Sequence, residues 1–167
     1  VMDLITVREL YKHPEEYLDK EINVGGWVRS LRDSKAFGFI VVSDGSFFET
    51  LQIVYHDTLP NFAEVSKLSV GTAILVKGTL VSTPQAKQPF EIQAAEVTVE
   101  GTSSPDYPLQ KKRHSLEYLR TISHLRARTN TFQAVFRVRS LVAYAIHQYF
   151  QDRDFVYVHT PLITGSD

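Results

Sequence analysis

Five segments that alternate apolar and polar residues constrain the fold of this chain more than any other feature. They cover residues 22–31, 37–43, 51–55, 72–82 and 90–100 and are rich in β-branched and aromatic residues. This period of two predicts strands. Between the third and fourth segments, Phe62, Val65 and Leu68 recur at helical spacing within residues 61–68. The predicted order is therefore three strands, one helix and two strands.

This order of elements is typical of an OB-fold, a small five-stranded Greek-key barrel. The outer face of strands two and three in such barrels commonly binds single-stranded nucleic acid. An unrelated small barrel with the same strand order remains an alternative. Before the barrel, Thr6 followed by Glu9 fits a capping box and predicts a short helix, and Pro14 opens a second turn. The residues around Gly78 do not match the motif of a phosphate loop, and Gly78 is interpreted as a β-bulge.

After the barrel, residues 103–114 are polar, contain Pro105 and Pro108, and predict a linker. A short helix over 116–125 and an amphipathic helix over about 131–152 follow. We therefore divide the chain into a domain at 1–102, a linker at 103–114 and a second domain at 115–167. Residues 155–163 predict a strand that contains Pro161. Because proline donates no ladder hydrogen bond, this strand can pair only at an edge and needs a partner outside itself.

Charge is distributed unevenly, although the net charge of the chain is only −1. Residues 1–102 carry nine basic and fourteen acidic residues, whereas residues 103–140 carry eight basic and two acidic residues. Such a basic stretch suits a polyanion, but a solvated helix surface explains it equally well. The basic residues are Lys111, Lys112, Arg113, Arg120, Arg126, Arg128, Arg137 and Arg139.

The composition narrows the class of protein. The 167 residues are 43% hydrophobic, enough for a buried core, and the absence of cysteine excludes disulfides and cysteine metal sites. We see no long apolar stretch at either end and expect a soluble cytosolic protein. The six histidines show no ligand spacing, and no serine pairs with a recognisable base. We therefore predict no catalytic residue and no metal site, and expect a chain that binds.

Side-chain alternation in the second strand predicts a nucleic-acid-binding face. Phe37 and Phe39 share one face, while Ile40 and Val42 share the other and suit the core better. The two rings are then available to stack on bases. The strands around this face supply polar groups for phosphates and base edges, namely Arg29, Arg32, Gln52, Glu91 and Gln93.

Two of these polar groups have chemistry that suits particular bases, and one aromatic residue has two possible locations. Gln52 offers a donor and an acceptor together, which suits a pyrimidine edge such as that of uracil, and Glu91 can accept from a guanine imino or amino group. Each residue alone is also explained by a solvated strand surface. Trp27 either joins this face or fills the barrel core.

Several motifs resemble those of a known family. GWVRSLRD at Gly26 to Asp33, then FGFI, LQIV at Leu51 to Val54, and FEIQAAEV are similar to the anticodon-binding domain of the class II aspartyl, asparaginyl and lysyl-tRNA synthetases. The downstream helix and FVYVHTPLI resemble their motif 1, a helix and strand that end in a proline, here Pro161. Residues 107–140 are similar to the bacterial asparaginyl members.

The resemblance implies roles for individual residues. Phe39 corresponds to the ring that stacks on the central anticodon base, Gln52 to the amide that reads that uracil, and Glu91 to the carboxylate near the first anticodon base. Arg29 and Arg32 correspond to cations beside the anticodon backbone. The basic stretch would contact tRNA phosphates through Lys111, Lys112, Arg113, Arg126 and Arg128. Motif 1 implies a homodimer whose interface includes Phe155, Val158 and Pro161.

The asparaginyl members attach asparagine to its tRNA through an adenylate made with ATP and Mg²⁺, and the resemblance implies this reaction for the whole enzyme. Motifs 2 and 3 of the family are not in these residues, so we expect the chain alone to bind no cofactor and to be inactive. Two alternatives stay open: a free-standing OB-fold module that binds RNA and dimerises, and an aspartyl-type synthetase or paralogue. No residue is assigned to the third anticodon base.

Overall fold

Five strands close into a barrel in the first part of the chain. The computed structural model describes residues 3–166 and divides into two compact units, of which one ends at Ser115 and the other begins at Leu116. The strands, in sheet order β1-β2-β3-β5-β4, confirm the predicted OB-fold. Their bounds are β1 Glu21–Asp33, β2 Phe37–Ser43, β3 Leu51–His56, β4 Ala73–Ser82 and β5 Phe90–Gly101.

The barrel is closed by its one parallel pairing among the described strands, between β3 and β5. In this pairing Ile53 lies opposite Ile92, and Val54 lies opposite Gln93. The other four pairings are antiparallel. Between β3 and β4 lies the short helix α2, Phe62–Val65, which covers only the middle of the helix predicted over 61–68. Its Val65 is fully buried and packs into the barrel core.

The core is filled by the inward-pointing residues of each strand. Ile40 and Val42 of β2 are buried, as the alternation predicted, and they pack with Ile53 and Ile92 from the closing strands. Burying such a side chain contributes about 1.5 to 3 kcal/mol relative to leaving it in water. The core therefore fixes the opposite side of β2 as the outer face of the barrel.

Two of the three register shifts between the described strands concern residues that the sequence analysis singled out. The β1–β2 register shifts between Val28 and Ser30, which leaves Arg29 as the extra residue of a bulge. The β4–β5 register also shifts between Lys77 and Gly78, where the extra residue is Ala95 of β5, so the predicted bulge lies opposite Gly78 rather than at Gly78 itself. A side chain at Gly78 would collide with the backbone oxygen of Gln93. Glycine therefore permits the close approach of β5.

The helix before the barrel is anchored by a loop of the barrel. This helix, α1, spans Val7–Lys12, and the Thr6 hydroxyl accepts a hydrogen bond from the Glu9 backbone N–H at 3.2 Å. The Asp44 carboxylate also accepts from the Val7 N–H at 2.8 Å, which satisfies a second donor at the helix start. The Glu9 carboxylate accepts from the Tyr17 hydroxyl at 3.4 Å. The Thr6 half of the predicted capping box is therefore present.

The second unit contains two helices. The first, α3, spans Leu116–Thr121 and ends four residues before the predicted boundary, and a 3₁₀ turn follows at Arg126–Arg128. The second, α4, spans Asn130–Gln151, close to the prediction, and the Thr129 hydroxyl caps it by accepting from the Phe132 N–H at 3.4 Å. No helix within residues 3–166 is long and apolar enough to cross a membrane.

The strand predicted over 155–163 was wrong as a secondary-structure assignment for this chain. Residues 155–164 form neither helix nor strand in the structure. A strand needs a neighbouring backbone for its ladder, and none of the described strands pairs with this segment. His159 also has a positive φ of 51°, which departs from extended geometry.

The residues predicted as a linker belong to the first unit. The Ser69 hydroxyl donates to the Ser103 carbonyl oxygen at 2.8 Å, and Leu109 is buried. The sequence after β5 therefore packs back onto the barrel before the chain reaches α3.

Candidate nucleic-acid interface

Two phenylalanine rings lie next to each other on the outer face of β2. The ring centroids of Phe37 and Phe39 are 5.6 Å apart in an edge-to-face arrangement. Phe37 is 38% exposed and Phe39 is half-buried, while the inward neighbour Ile40 is fully buried. Edge-to-face packing restrains both rings without covering the whole face of either. This face can therefore offer flat apolar surface to a base.

A cation lies over one of these rings. Arg32 of β1 is the cross-strand partner of Phe39, and its guanidinium carbon is 4.9 Å from the ring centroid. Such a contact contributes about 0.5 to 1 kcal/mol at an exposed site. Because Arg32 is itself exposed, its charge remains accessible to a phosphate. The face thus combines a ring and a phosphate-binding group within one cross-strand pair.

A buried valine forms the floor beside these rings. Val54 alternates with the inward Ile53 and therefore points outward, yet it is only 5% exposed and lies outside the core cluster. Its cross-strand partners are Phe39 on β2 and Gln93 on β5. The outer face is therefore packed at its centre, so the surrounding side chains have a fixed support.

Four polar side chains form a continuous hydrogen-bonded chain across β3 and β5. Gln52 Nε2 donates to Glu91 Oε2 at 2.8 Å, and Gln93 Nε2 donates to Glu91 Oε1 at 3.0 Å. His56 Nε2 lies 3.3 Å from Gln93 Oε1. The His56 ring also lies 6.3 Å from the Phe37 ring. The structure thus brings the predicted residues Gln52, Glu91 and Gln93 together and adds His56, which the sequence analysis did not select.

Strand alternation contained the signal for His56. Gln52, Val54 and His56 share one side of β3, so His56 faces the same way as the predicted Gln52. The sequence analysis ended this strand at residue 55, one position too early. The residue beyond a predicted strand end was therefore excluded from the face to which it belongs.

Two predicted residues lie outside this cluster. Trp27 is 52% exposed, between Ser43 and Ala73 on the neighbouring strands, so the interpretation of a core tryptophan was wrong. Arg29 occupies the bulge and is half-buried. Burial lowers the pKa of the Arg29 guanidinium, and the neighbouring Tyr107 opposes this shift. The role of Arg29 beside an anticodon stays a prediction.

The basic residues of the sequence are divided between the two units. Lys111, Lys112 and Arg113 are exposed in the first unit. Arg126 and Arg128 belong to the 3₁₀ turn of the second unit, where the Arg126 guanidinium carbon lies 4.6 Å from the Phe132 ring centroid. Their contact with tRNA phosphates stays a prediction.

One group of side chains within residues 3–166 has ligand atoms close enough to share a metal ion. His13, Glu15 and Glu16 each offer a ligand atom, and these atoms lie within 4.8 Å of one another. All three residues are exposed on a short turn. Exposed acidic groups commonly occur without an ion, so this cluster gives no ground for assigning a metal site.

The segment that contains the predicted interface residues is highly exposed. Phe155 packs its ring against Phe150 with centroids 5.3 Å apart, yet Val158 is 72% exposed and Leu162 is 97% exposed. Pro161 is also exposed. Contiguous exposed apolar side chains are typical of surfaces that contact another protein surface.

Comparison with known proteins gives a family match for each of the two units. Residues 22–100 match the family model described as an OB-fold nucleic acid binding domain, and residues 115–167 match the model of tRNA synthetases class II (D, K and N). An asparagine–tRNA ligase of Acetivibrio thermocellus is 66% identical over 99% of this chain, and one of Alkaliphilus oremlandii is 64% identical. The chain spans 36% of the length of each of these relatives.

Solved structures show the same fold. The asparaginyl-tRNA synthetase of Pyrococcus horikoshii superposes with a TM-score of 0.83 at 20% identity, over 96% of this chain and 38% of that one. The Entamoeba histolytica asparaginyl-tRNA synthetase in complex with asparaginyl-adenylate gives a TM-score of 0.75 at 23% identity, over 89% of this chain and 36% of that one. The chain therefore belongs to the class II tRNA synthetases of the D, K and N group and carries their anticodon-binding OB-fold and the start of their catalytic domain.

Proposed function

We propose that the barrel reads the anticodon of an asparagine tRNA and that the chain acts within an asparagine–tRNA ligase. The observation that carries this proposal is the stacked Arg32–Phe39 pair next to the Gln52–Glu91 hydrogen bond on one outer face. The 66% identity to an asparagine–tRNA ligase supports the choice of tRNA. The reaction of the whole protein is part of this proposal, since the chain spans 36% of its relatives.

The face suits an unpaired anticodon loop for physical reasons. A base stacked on Phe39 gains about 1 to 3 kcal/mol whatever its identity, because every base has a flat π-face. Selectivity then comes from the polar groups. Gln52 has an amide that can both donate to and accept from the edge of a central uracil, and the Glu91 carboxylate accepts from the two N–H donors of a guanine edge. Arg32 would hold the backbone phosphate beside the stacked base.

The adenylate-forming step needs ATP and Mg²⁺, which the full ligase would bind. Within residues 3–166, the only grouped metal-ligand atoms belong to the exposed turn at His13, Glu15 and Glu16, far along the sequence from the class II region at 115–167. These residues do not fit a metal–nucleotide site, so we derive no step of the ligation from them. We expect this chain alone to give no ATP–pyrophosphate exchange with asparagine.

The proposal is tested by binding to anticodon stem-loops at one fixed salt concentration. Wild-type chain should bind the asparagine loop more tightly than a loop whose central uracil is replaced by adenine. Backbone attraction alone is blind to sequence, so a preference identifies base reading. Replacing Gln52 by Leu should reduce this preference, and replacing the exposed Gln148 of α4 by Leu should leave it unchanged. Equal binding of both loops by the wild type would instead describe a general RNA-binding module.

We also propose that the protein works in the cytoplasm, where tRNA is used in translation.

We also propose that residues 155–163 contact a second copy of the protein, because Val158 and Leu162 are exposed and the segment has no strand partner within the described residues. Light scattering of the full-length ligase should give the mass of a dimer. A full-length Val158→Asp variant should shift toward monomer, because it places a charge in the interface. A wild-type protein that is monomeric at micromolar concentration would contradict this assignment.

A further inference from the structure

The hydrogen-bonded chain on the outer face has a direction imposed by its carboxylate. An ionised carboxylate only accepts hydrogen bonds, so both glutamines that touch Glu91 must present their NH₂ groups to it. The side-chain oxygen of Gln93 then points the other way, toward His56 Nε2 at 3.3 Å. Because an amide oxygen cannot donate, the His56 Nε2 must carry the proton. A single carboxylate therefore sets two amide orientations and one imidazole tautomer.

We propose that His56 and Gln93 are positioning residues that hold the Glu91 carboxylate in the orientation required to select guanine. This inference rests on the proposed anticodon reading and names residues that act through Glu91. Each Glu91 oxygen receives one N–H from a different glutamine. A carboxylate oxygen can accept two hydrogen bonds, so each oxygen keeps an acceptor site for an incoming base.

The selection follows from the number of donors on a base edge. Guanine presents two adjacent N–H donors on its Watson–Crick edge, which match two parallel carboxylate oxygens. Adenine and cytosine each present one amino donor beside a ring-nitrogen acceptor, and this acceptor faces a carboxylate oxygen unfavourably. A carboxylate that rotates freely can satisfy a single donor in many orientations. Anchoring both oxygens removes those orientations and penalises the bases with one donor.

The arrangement of the strands supports a role in positioning. Gln93 lies beside Val54 in the short β3–β5 pairing, over the buried floor of the face, and this fixes its backbone. His56 is at the end of β3 and packs 6.3 Å from the Phe37 ring. The donor that fixes Gln93 is therefore itself held by an aromatic contact. The carboxylate is anchored from both sides by groups that belong to different strands.

The test compares a stem-loop with guanine at the first anticodon position with one that carries adenine there. The measured quantity is the dissociation constant of the adenine loop divided by that of the guanine loop. The melting temperature of each variant is a second readout. We expect Gln93→Leu to reduce the ratio about tenfold, the change expected when a hydrogen bond to a charged group is lost. His56→Phe keeps a ring against Phe37 but removes the N–H, and should reduce the ratio about threefold. His56→Gln, which keeps an N–H donor, should restore part of it.

Gln148→Leu makes the same chemical change on the exposed surface of α4 and should leave the ratio unchanged. A Gln93→Leu variant that discriminates as well as the wild type would overturn the positioning role while leaving anticodon reading intact. A variant that loses stability and weakens both loops equally would also overturn it, since the network would then only hold the strands together. A wild type that binds both loops equally would refute guanine reading by Glu91, and with it this inference.

Discussion

Replacing Phe39 by alanine should weaken binding of all anticodon loops by a similar factor. The ring is half-buried on the outer face, next to Phe37 and under the Arg32 guanidinium. Loss of one base stack costs about 1 to 3 kcal/mol. Loss of the cation–π contact that holds Arg32 adds about 0.5 to 1 kcal/mol at most. The dissociation constant should therefore rise by about 5- to 700-fold, since each 1.4 kcal/mol is a factor of ten.

The assay is fluorescence anisotropy of a labelled asparagine anticodon stem-loop at fixed salt, repeated with the central uracil replaced. Because stacking tolerates any base, Phe39→Ala should weaken both loops and leave their ratio nearly constant. Gln52→Leu should instead change the ratio. Phe48→Ala is the matched control, because Phe48 is an exposed phenylalanine in the loop between β2 and β3. Melting curves must show that each variant is folded at the assay temperature.

The reasoning fails if Phe39→Ala binds the native loop with wild-type affinity, because no base would then stack on this ring. It also fails if Phe48→Ala weakens binding as strongly, since the effect would then not depend on the outer face of β2. A Phe39→Leu variant separates the contribution of the aromatic ring from that of the side-chain volume. It should cover Val54 almost as well but lose most of the stacking contribution.

Three further predictions follow from single contacts. Arg32→Gln should reduce the slope of log binding constant against log salt by about 0.7, the value for one phosphate contact on a single strand, measured by titration at several salt concentrations. Gly78→Ala should lower the free energy of unfolding by about 2 kcal/mol in urea, because the added carbon meets the backbone oxygen of Gln93. Burial and the hydrogen bond to Asp33 raise the pKa of Tyr55. The stabilising contribution of Tyr55 should therefore be fully present below about pH 10 and decrease as the pH rises further. Tyr55→Phe should remove this pH-dependent contribution from the free energy of unfolding. A Tyr55→Phe variant with the wild-type alkaline slope would contradict the last of these.

The barrel could be predicted because its strands carry a strong period of two. The bounds of β2 were predicted correctly, since Ile40 and Val42 alternate with Phe37 and Phe39 without interruption. The location of Trp27 could also have been resolved in this way. Val24 and Val28 are buried and have the opposite parity to Trp27, so the ring had to point outward. The glycines beside it obscured the alternation.

The bulge in β1 could not be read from the alternation. Arg29 and Arg32 have opposite parity, so a regular strand would place them on opposite faces. The extra residue at Arg29 restarts the alternation, which puts Leu31 against the core and Arg32 over Phe39. A bulge depends on how two strands register, and this pairing is a tertiary property. The sequence therefore predicted Arg32 as a site residue without showing why it reaches the ring.

The segment at 155–163 shows the limit of local pattern most directly. Its residues Phe155, Tyr157 and Val158, followed by Pro161, resemble an edge strand, but a ladder forms only against another backbone. A hydrogen-bonded network of polar side chains likewise forms only when distant parts of the backbone come together. Glu91 and Gln52 are 39 positions apart, and only the β3–β5 pairing brings them within 2.8 Å.

The parallel contact between β3 and β5 also links folding to recognition. Each polar group that would read a base stands on one of these two strands, and they join through a short pairing of residues distant in the chain. Contacts of such long sequence separation carry the largest loop-closure cost and form late relative to local turns and hairpins. A chain that is still emerging from the ribosome therefore has the two aromatic rings of β2 and the Gln52 amide of β3 before Glu91 of β5 can join them. The Gln52–Glu91 hydrogen bond, and the base selectivity that we propose for it, therefore depend on closure of the barrel.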